Sequence, residues 1–327
     1  MRRGFPALLL LLAGTATQAE SPPPVCHYHQ AAVLPVSFDN LQITTQATIN
    51  GTSVRMLVDS GSESTFLTYG EAQTLGLRLG DSRLRSYGVS GESLTSVTDI
   101  DDISIGAAHG KDVELLVIDD TASPMRVGGV IGVDFLFRSD VELSPAEQKI
   151  KFFVAQDCAT PFLARWEGSI SRVEMRHGPG SDTRPRITVE LNGQPVTALI
   201  DTGAQNTVID LRAGRKAGLA PDSPGVEAQT STVGGIGTHA LSQWIVPLST
   251  VTIGDETIKN VKLHMADLWG AARRDRDTQA MFEMGVTQPM MLLGADFLRS
   301  HHVLFARSQG QLYFSYLGGK VFQTSGK

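Results

Sequence analysis

The sequence predicts a mostly-β chain made of two pseudo-symmetric lobes, with a cleft between them and a few short helices. Three observations carry that reading. An apolar run that closes on an acid, a hydroxyl residue and a glycine occurs twice, as Met56-Leu57-Val58-Asp59-Ser60-Gly61 and Ala198-Leu199-Ile200-Asp201-Thr202-Gly203. The residues around each copy repeat in the same order from the first strand of a half to its last. Glycine is plentiful, at 33 residues, as many tight turns between short strands require.

The bulk numbers bound the rest. A chain of 327 residues has room for two domains of ordinary size. With 41% hydrophobic and 19% charged residues it is globular, not a disordered tail. A net charge of −6 and the lack of a long basic run argue against nucleic acid as a partner.

Residues 1–19 have the order of an export signal. Arg2 and Arg3 are the basic start, Ala7 to Ala13 the leucine-rich core, and Thr17 and Ala19 the small residues before a cleavage. The core is too short to span a bilayer, and no other segment is apolar for long enough. The mature protein is therefore expected to be soluble and exported, either periplasmic or secreted. Residues 20–32 are proline-rich and polar and are expected to be a lead-in. Lobe one is expected over 33–158, a linker over 159–184 around Gly178-Pro179-Gly180-Ser181, and lobe two over 185–320.

Within each lobe the order is the same. An alternating strand runs to Asn-Gly, the strongest short hairpin signal, at Asn50-Gly51 and Asn192-Gly193. The returning strands, Val54 to Val58 and Val196 to Ile200, deliver Asp59 and Asp201 to a strand end. A short helix follows in each half, Gly70 to Leu75 and Leu211 to Ala217, stopped by Gly76-Leu77 and Gly218-Leu219. Glycine-rich turns come next, then strands ending in Ile-Gly at Gly106 and Gly254. Each half closes on apolar-apolar-Gly: Val130-Ile131-Gly132 and Leu292-Leu293-Gly294. Lobe two also carries an insertion over 268–289 with Arg273-Arg274-Asp275-Arg276-Asp277, expected as a solvated loop or short helix.

Two cysteines, Cys26 and Cys158, bracket the first half. In an oxidising compartment they could close one disulfide around a whole lobe; the alternative is two unpaired thiols.

An ionised carboxylate at the end of a buried strand needs a partner, and the repeat supplies one. Leu199-Ile200-Asp201-Thr202-Gly203-Ala204 with Thr207-Val208-Ile209 and Leu292-Leu293-Gly294 resembles the core of a retroviral-type aspartic protease. Leu57-Val58-Asp59-Ser60-Gly61 with Val130-Ile131-Gly132 resembles it equally. The two lobes in one chain resemble the plan of pepsin, built from units of the retroviral kind. The resemblance implies two acid-protease β-barrel lobes, a monomer, and a peptide or polypeptide substrate bound extended. It also implies an endopeptidase in which water between Asp59 and Asp201 attacks the peptide bond. Two carboxylates within hydrogen-bond reach share one proton, an effect for which aspartic proteases are the standing example. Ser60 and Thr202 would brace the two loops, Gly61 and Gly203 would allow close approach, and Gly132 and Gly294 would lie beneath. Ser62 stands where lobe two has Ala204, so this chain has a hydroxyl after one triplet only. The expected activity optimum is less acidic than pepsin's, and a sharp optimum near about pH 2 would contradict it. Tyr87, Gly88, Val89, Ser90 and Gly91 form one candidate flap and Gly234 to Gly237, with Gly234 and Gly235 foremost, another; either turn could equally be a plain hairpin tip.

Other signals are weaker. His27 and His29, and the adjacent His301 and His302, lack helical metal spacing, and Asp99, Asp101 and Asp102 have no calcium loop around them. No cofactor or metal is called for. Asp134 and Asp296 suit helix starts, and Ser60 lacks the His and Asp pattern of a serine hydrolase. The competing reading is a catalytically silent exported protein that binds extended peptides in the same cleft.

Overall fold

A computed structural model describes residues 25–122, 125–158, 162–237, 239–270 and 288–322. The expected export signal and most of the lobe-two insertion lie outside these described residues.

In lobe one the strands are β1 (His27–Pro35), β2 (Ser37–Asp39), β3 (Gln42–Ile49), β4 (Thr52–Val58) and β5 (Phe66–Thr68). After the helix α1 (Tyr69–Thr74) come β6 (Gly80–Gly88), β7 (Gly91–Ile105), β8 (Ala108–Ile118) and β9 (Gly129–Ile131). The one-turn helix α2 (Val133–Leu136) leads to β10 (Asp140–Ser144) and β11 (Lys149–Gln156), and β12 (Ser171–Glu174) follows. Lobe two repeats the plan with β13 (Arg186–Leu191), β14 (Gln194–Ile200), β15 (Val208–Asp210) and α3 (Leu211–Lys216). It continues with β16 (Glu227–Val233), β17 (Leu241–Ile253), β18 (Glu256–Ala266), β19 (Met291–Leu293) and α4 (Ala295–Leu298), and ends with β20 (His301–Ala306) and β21 (Gln311–Tyr316).

Each lobe is a closed barrel. Lobe one runs β3-β4-β9-β5-β8-β7 and closes by pairing β3 with β7; lobe two runs β13-β14-β19-β15-β18-β17 and closes by pairing β13 with β17. Closure leaves no free edge in the barrel itself. The hairpin turns are the expected ones: Asn50 and Gly51, like Asn192 and Gly193, all have positive φ, as a type I′ turn demands. Each strand bearing an aspartate lies in the middle of its barrel, parallel to the apolar-apolar-Gly strand, with Val58 opposite Ile131 and Ile200 opposite Leu293. Parallel central strands are buried on both faces, which is why these segments read as unbroken apolar runs. Met56, Val58, Ile131, Ile200 and Leu293 are all in the main core.

A third sheet ties the lobes together, in the order β1-β11-β10-β20-β21-β12. Its central seam pairs Val141 with Phe305 and Leu143 with Val303, one strand from each lobe. Two expectations on the chain's outer parts give way here. The lead-in is ordered from His27, because β1 pairs along the whole of β11 and is pinned by a disulfide between Cys26 and Cys158. The stretch read as linker contains β12, which takes the edge beside β21. Both are edge strands whose partners are remote in sequence, and local pattern does not reveal such pairing.

Candidate active site

The two acid-bearing strands end facing each other at the lobe junction. The backbone N–H of Asp59 donates to Ile131 O (2.9 Å) and that of Asp201 to Leu293 O (3.0 Å), so each aspartate leaves its barrel at the same point. The following hydroxyls then cross between lobes. Ser60 Oγ donates to Ile200 O (2.7 Å) and accepts from Thr202 N (3.1 Å). Thr202 Oγ1 donates to Val58 O (2.8 Å) and accepts from Ser60 N (2.8 Å). All four bonds are buried, and each hydroxyl satisfies a donor and an acceptor of the other loop. Loss of either would strand buried backbone groups.

The glycines are dictated by the opposite lobe. A Cβ on Gly61 would lie 2.6 Å from Asp201 Cγ, and one on Gly203 would lie 2.4 Å from Asp59 Cγ. Only glycine lets each backbone lie against the other lobe's carboxyl. Each carboxyl therefore lies against the loop that carries the other. Asp59 Oδ1 also accepts from Gly61 N (2.7 Å), whereas Asp201 Oδ1 accepts from both Gly203 N (3.0 Å) and Ala204 N (2.9 Å). The aspartates keep part of their surface in the cleft and are otherwise enclosed by protein. That enclosure, and then the charge of Asp201, pushes Asp59 well above the ordinary carboxylate range. Burial raises Asp201 as well, while its interaction with Asp59 and the two backbone donors pull against it.

Gly132 and Gly294 lie beneath the loops. Their N–H groups donate to Thr65 Oγ1 (3.1 Å) and Thr207 Oγ1 (3.0 Å). A Cβ on either would meet backbone of the passing loop, at Ser64 or Asn206, within 2.7 Å. The same threonines explain Asp134 and Asp296, which are not helix caps. The caps of α2 and α4 are Gly132 and Gly294 themselves. Asp134 accepts instead from Thr65 Oγ1 (2.7 Å) and N (3.0 Å), and Asp296 from Thr207 Oγ1 (2.6 Å) and N (2.9 Å). Ser62 bonds within its own loop. Its hydroxyl donates to Ser64 O (2.8 Å), away from the carboxyls, and its backbone carbonyl accepts from Val133 N (2.9 Å).

The two glycine-rich turns meet tip to tip. Ser90 N donates to Ile236 O (3.1 Å), His239 N to Ser90 O (2.9 Å), and Gly235 N to Ser90 Oγ (3.1 Å). Ser90 is buried and forms a bridge with Gly237. A Cβ on Gly88 would strike Ile236 O, so the tips need that glycine. Each tip then crosses over: Val89 packs on the lobe-two wall with Leu199, Val208 and Leu292, and Ile236 on the lobe-one wall with Leu57, Phe66 and Val130. Leu57 and Leu199 each stand two residues ahead of an aspartate. Tyr87 lies one pair back from its tip, opposite Glu92 and 38% exposed, and Gly234 is exposed beside the second tip. Sequence reasoning put the second tip at Gly234 to Gly237 but missed His239 and the roles of Thr65 and Thr207. The repeat could have pointed to the threonines, since Thr65 and Thr207 are equivalent positions in it.

Among the described residues no three potential metal ligands gather. His301 is buried, with Nδ1 against Phe297 O (2.8 Å) and Nε2 near Glu256, and His302 Nε2 pairs with Glu142 (2.9 Å) under the Trp166 ring. No described helix is long and apolar enough to cross a membrane.

Comparison with known proteins agrees with this geometry. A family model described as "Aspartyl protease" matches twice, over residues 45–135 and 187–297, one match per barrel. No curated protein matches the sequence. Among solved structures, the crystal structure of an aspartic proteinase from Irpex lacteus aligns with 91% of this chain and 100% of its own, with a TM-score of 0.52. At 14% identity that likeness is one of fold.

Proposed function

The chain belongs to the aspartyl protease family, and from that premise we propose that it is an exported endopeptidase using Asp59 and Asp201 as one catalytic pair. The observation that carries this reading is the reciprocal packing of each carboxyl against the opposite lobe's glycine, 2.6 Å and 2.4 Å from where a Cβ would stand.

A buried pair in such contact resists losing both protons, so over a working range it holds one. Two backbone donors favour the ionised form at Asp201, and burial favours the proton on Asp59. The pair titrates as a unit even so. The ionised oxygen removes a proton from a water as its oxygen attacks the peptide carbonyl carbon, while the protonated acid donates toward the carbonyl oxygen. Collapse of the tetrahedral species breaks the C–N bond, and a proton from the pair goes to the departing nitrogen. No acyl-enzyme forms, and no metal is required by this scheme.

An extended polypeptide would lie between the two tips and the cleft floor, its backbone pairing with strand edges. Substrate would have to part the contacts of Ser90 with Ile236 and His239. Export is supported by the signal-like residues 1–19 and by the disulfide, which persists in oxidising compartments.

The test is peptide-library digestion by the mature protein between about pH 3 and 7 in H2¹⁸O. The reading expects internal cuts with one ¹⁸O entering each new carboxyl terminus. Absence of cutting across the range would instead favour a silent peptide-binding cleft. Amino-terminal sequencing of the exported protein tests the other half, with a mature start close to Glu20 as the expected result.

A further inference from the structure

The two cleft loops are tied to their surroundings in different ways, and only one tie carries charge. We infer that Arg184 is a positioning residue that holds the Asp59 loop from the opposite lobe and places a one-sided positive charge beside the aspartate pair.

Arg184 lies two residues before β13, where the stretch read as linker meets lobe two. Its Nη2 reaches Glu63 Oε1 (2.9 Å) in lobe one, and its Nη1 lies 3.4 Å from Gly61 O, within the Asp59-Ser60-Gly61 triplet. On its own side the guanidinium is gripped by Asp182, with Nε to Oδ1 at 2.8 Å and Nη2 to Oδ2 at 2.9 Å. Asp182 also accepts the Arg184 backbone N–H (3.0 Å) and Arg186 Nη2 (2.5 Å). The Arg184 side chain is only 17% exposed. Such a fork fixed on two sides is pre-organised, and a lysine could not copy it.

The repeat shows that the fold does not require this charge. By the offset that relates Ser60 to Thr202, the counterparts of Arg184 and Glu63 are Gln42 and Gln205. There the tie is neutral: Gln205 Nε2 donates to Asn40 O at 3.0 Å. An amide suffices to join loop to lobe, so the charge on the other side needs a separate reason.

The charges facing the pair supply one. Asp182 is shared between Arg184 and Arg186, and Glu63 is 58% exposed, so water weakens its opposing charge without cancelling it. Burial raises both carboxyls and the backbone donors of their own loops lower them more than Arg184 does, but Arg184 adds a positive charge that draws both down further. It thereby keeps one member of the pair ionised at lower pH than burial alone would allow.

This inference rests on the reading of Asp59 and Asp201 as the pair. Its test uses the full chain with Arg184→Gln, Arg184→Lys and Glu63→Gln, read by the pH profile of kcat/KM and by ¹³C NMR titration of the aspartate carboxyls. Arg184→Gln should move the whole profile to higher pH, with roughly a three- to tenfold loss on the acid side and none on the neutral side. Arg184→Lys should restore the position of the profile while lowering kcat at every pH. Glu63→Gln, which removes the opposing charge, should move it the other way. A uniform loss at all pH values in Arg184→Gln, or a Glu63→Gln profile superposable on the parent, would overturn the inference. Should Arg184→Gln not fold, Glu63→Gln and Arg184→Lys still decide. The NMR titration does not depend on turnover: a parent that cuts nothing would refute the proposed endopeptidase, while unmoved carboxyls in the variants would refute the role of Arg184.

Discussion

In lobe one, Thr65 joins Gly132 to Asp134 beneath the Asp59 loop; in lobe two, Thr207 joins Gly294 to Asp296 beneath the Asp201 loop, with bond lengths that agree to about 0.1 Å. The crossing hydroxyls, the clasping glycines and the strand registers are likewise doubled. One step outward the agreement ends. Ser62 faces Ala204 across the repeat, Glu63 faces Gln205, and Asp296 is buried where Asp134 is exposed. What is doubled is what fixes a carboxyl in place. What differs lies where a single chain, unlike a dimer of identical halves, can change one side without the other.

The strongest way to break the comparison is at the acids. Asp59→Asn and Asp201→Asn should each lose at least about 100-fold in kcat/KM, with neither lobe's acid dispensable. The next is at the glycines. Gly61→Ala and Gly203→Ala each drive a methyl into the opposite carboxyl and should cost on the order of 100-fold in kcat, since a displacement of this size at the reacting groups has that effect. Parallel losses at both sites are expected, and a tolerated alanine at either would show that the lobes do not clasp as described.

The threonines sharpen the comparison through stability. Thr207→Val leaves the buried Asp296 short of a donor and should cost about 2–3 kcal/mol by urea unfolding, whereas Thr65→Val, beside the exposed Asp134, should cost about 1 kcal/mol. Equal losses would contradict that ranking. Asp59→Asn should have a second consequence with a definite sign. Burial raises the Asp59 pKa above its unfolded value, so its contribution to stability is fully present below the unfolded pKa and is lost as pH rises through the folded one. The asparagine variant should therefore be more stable than the parent at neutral pH, with the gain vanishing in acid; thermal unfolding at both ends measures it. Smallest of all is Ser62→Ala. Its hydroxyl is spent on Ser64 O, so the pH profile should stay put and the stability loss should be no more than about 1 kcal/mol.

Much of this was legible before any coordinates. The Asn-Gly turns, the unbroken apolar runs before the acids and the Gly-Leu helix stops are local signals, and the duplication let each half check the other. The missing parts share a cause: their partners lie far away in sequence. The strand at His27–Pro35 is made by its pairing with Lys149–Gln156. Asp134 and Asp296 do stand in the first turns of their helices, but nothing local shows that they bind Thr65 and Thr207. Ile236 reads as one apolar residue in a loop, and its meaning comes from the opposite lobe's wall. Arg184 sits in a polar stretch where an arginine suggests only solvent, and nothing local connects it to Gly61.

The central claim is that both acids of one chain form a single site. Peptide cleavage by Asp59→Asn alone, Asp201→Asn alone and an equimolar mixture of the two tests it directly. If each chain closes its own site, all three samples stay silent beside an active parent. Activity in either single variant, or its recovery on mixing, would contradict a pair drawn from the two lobes of one chain.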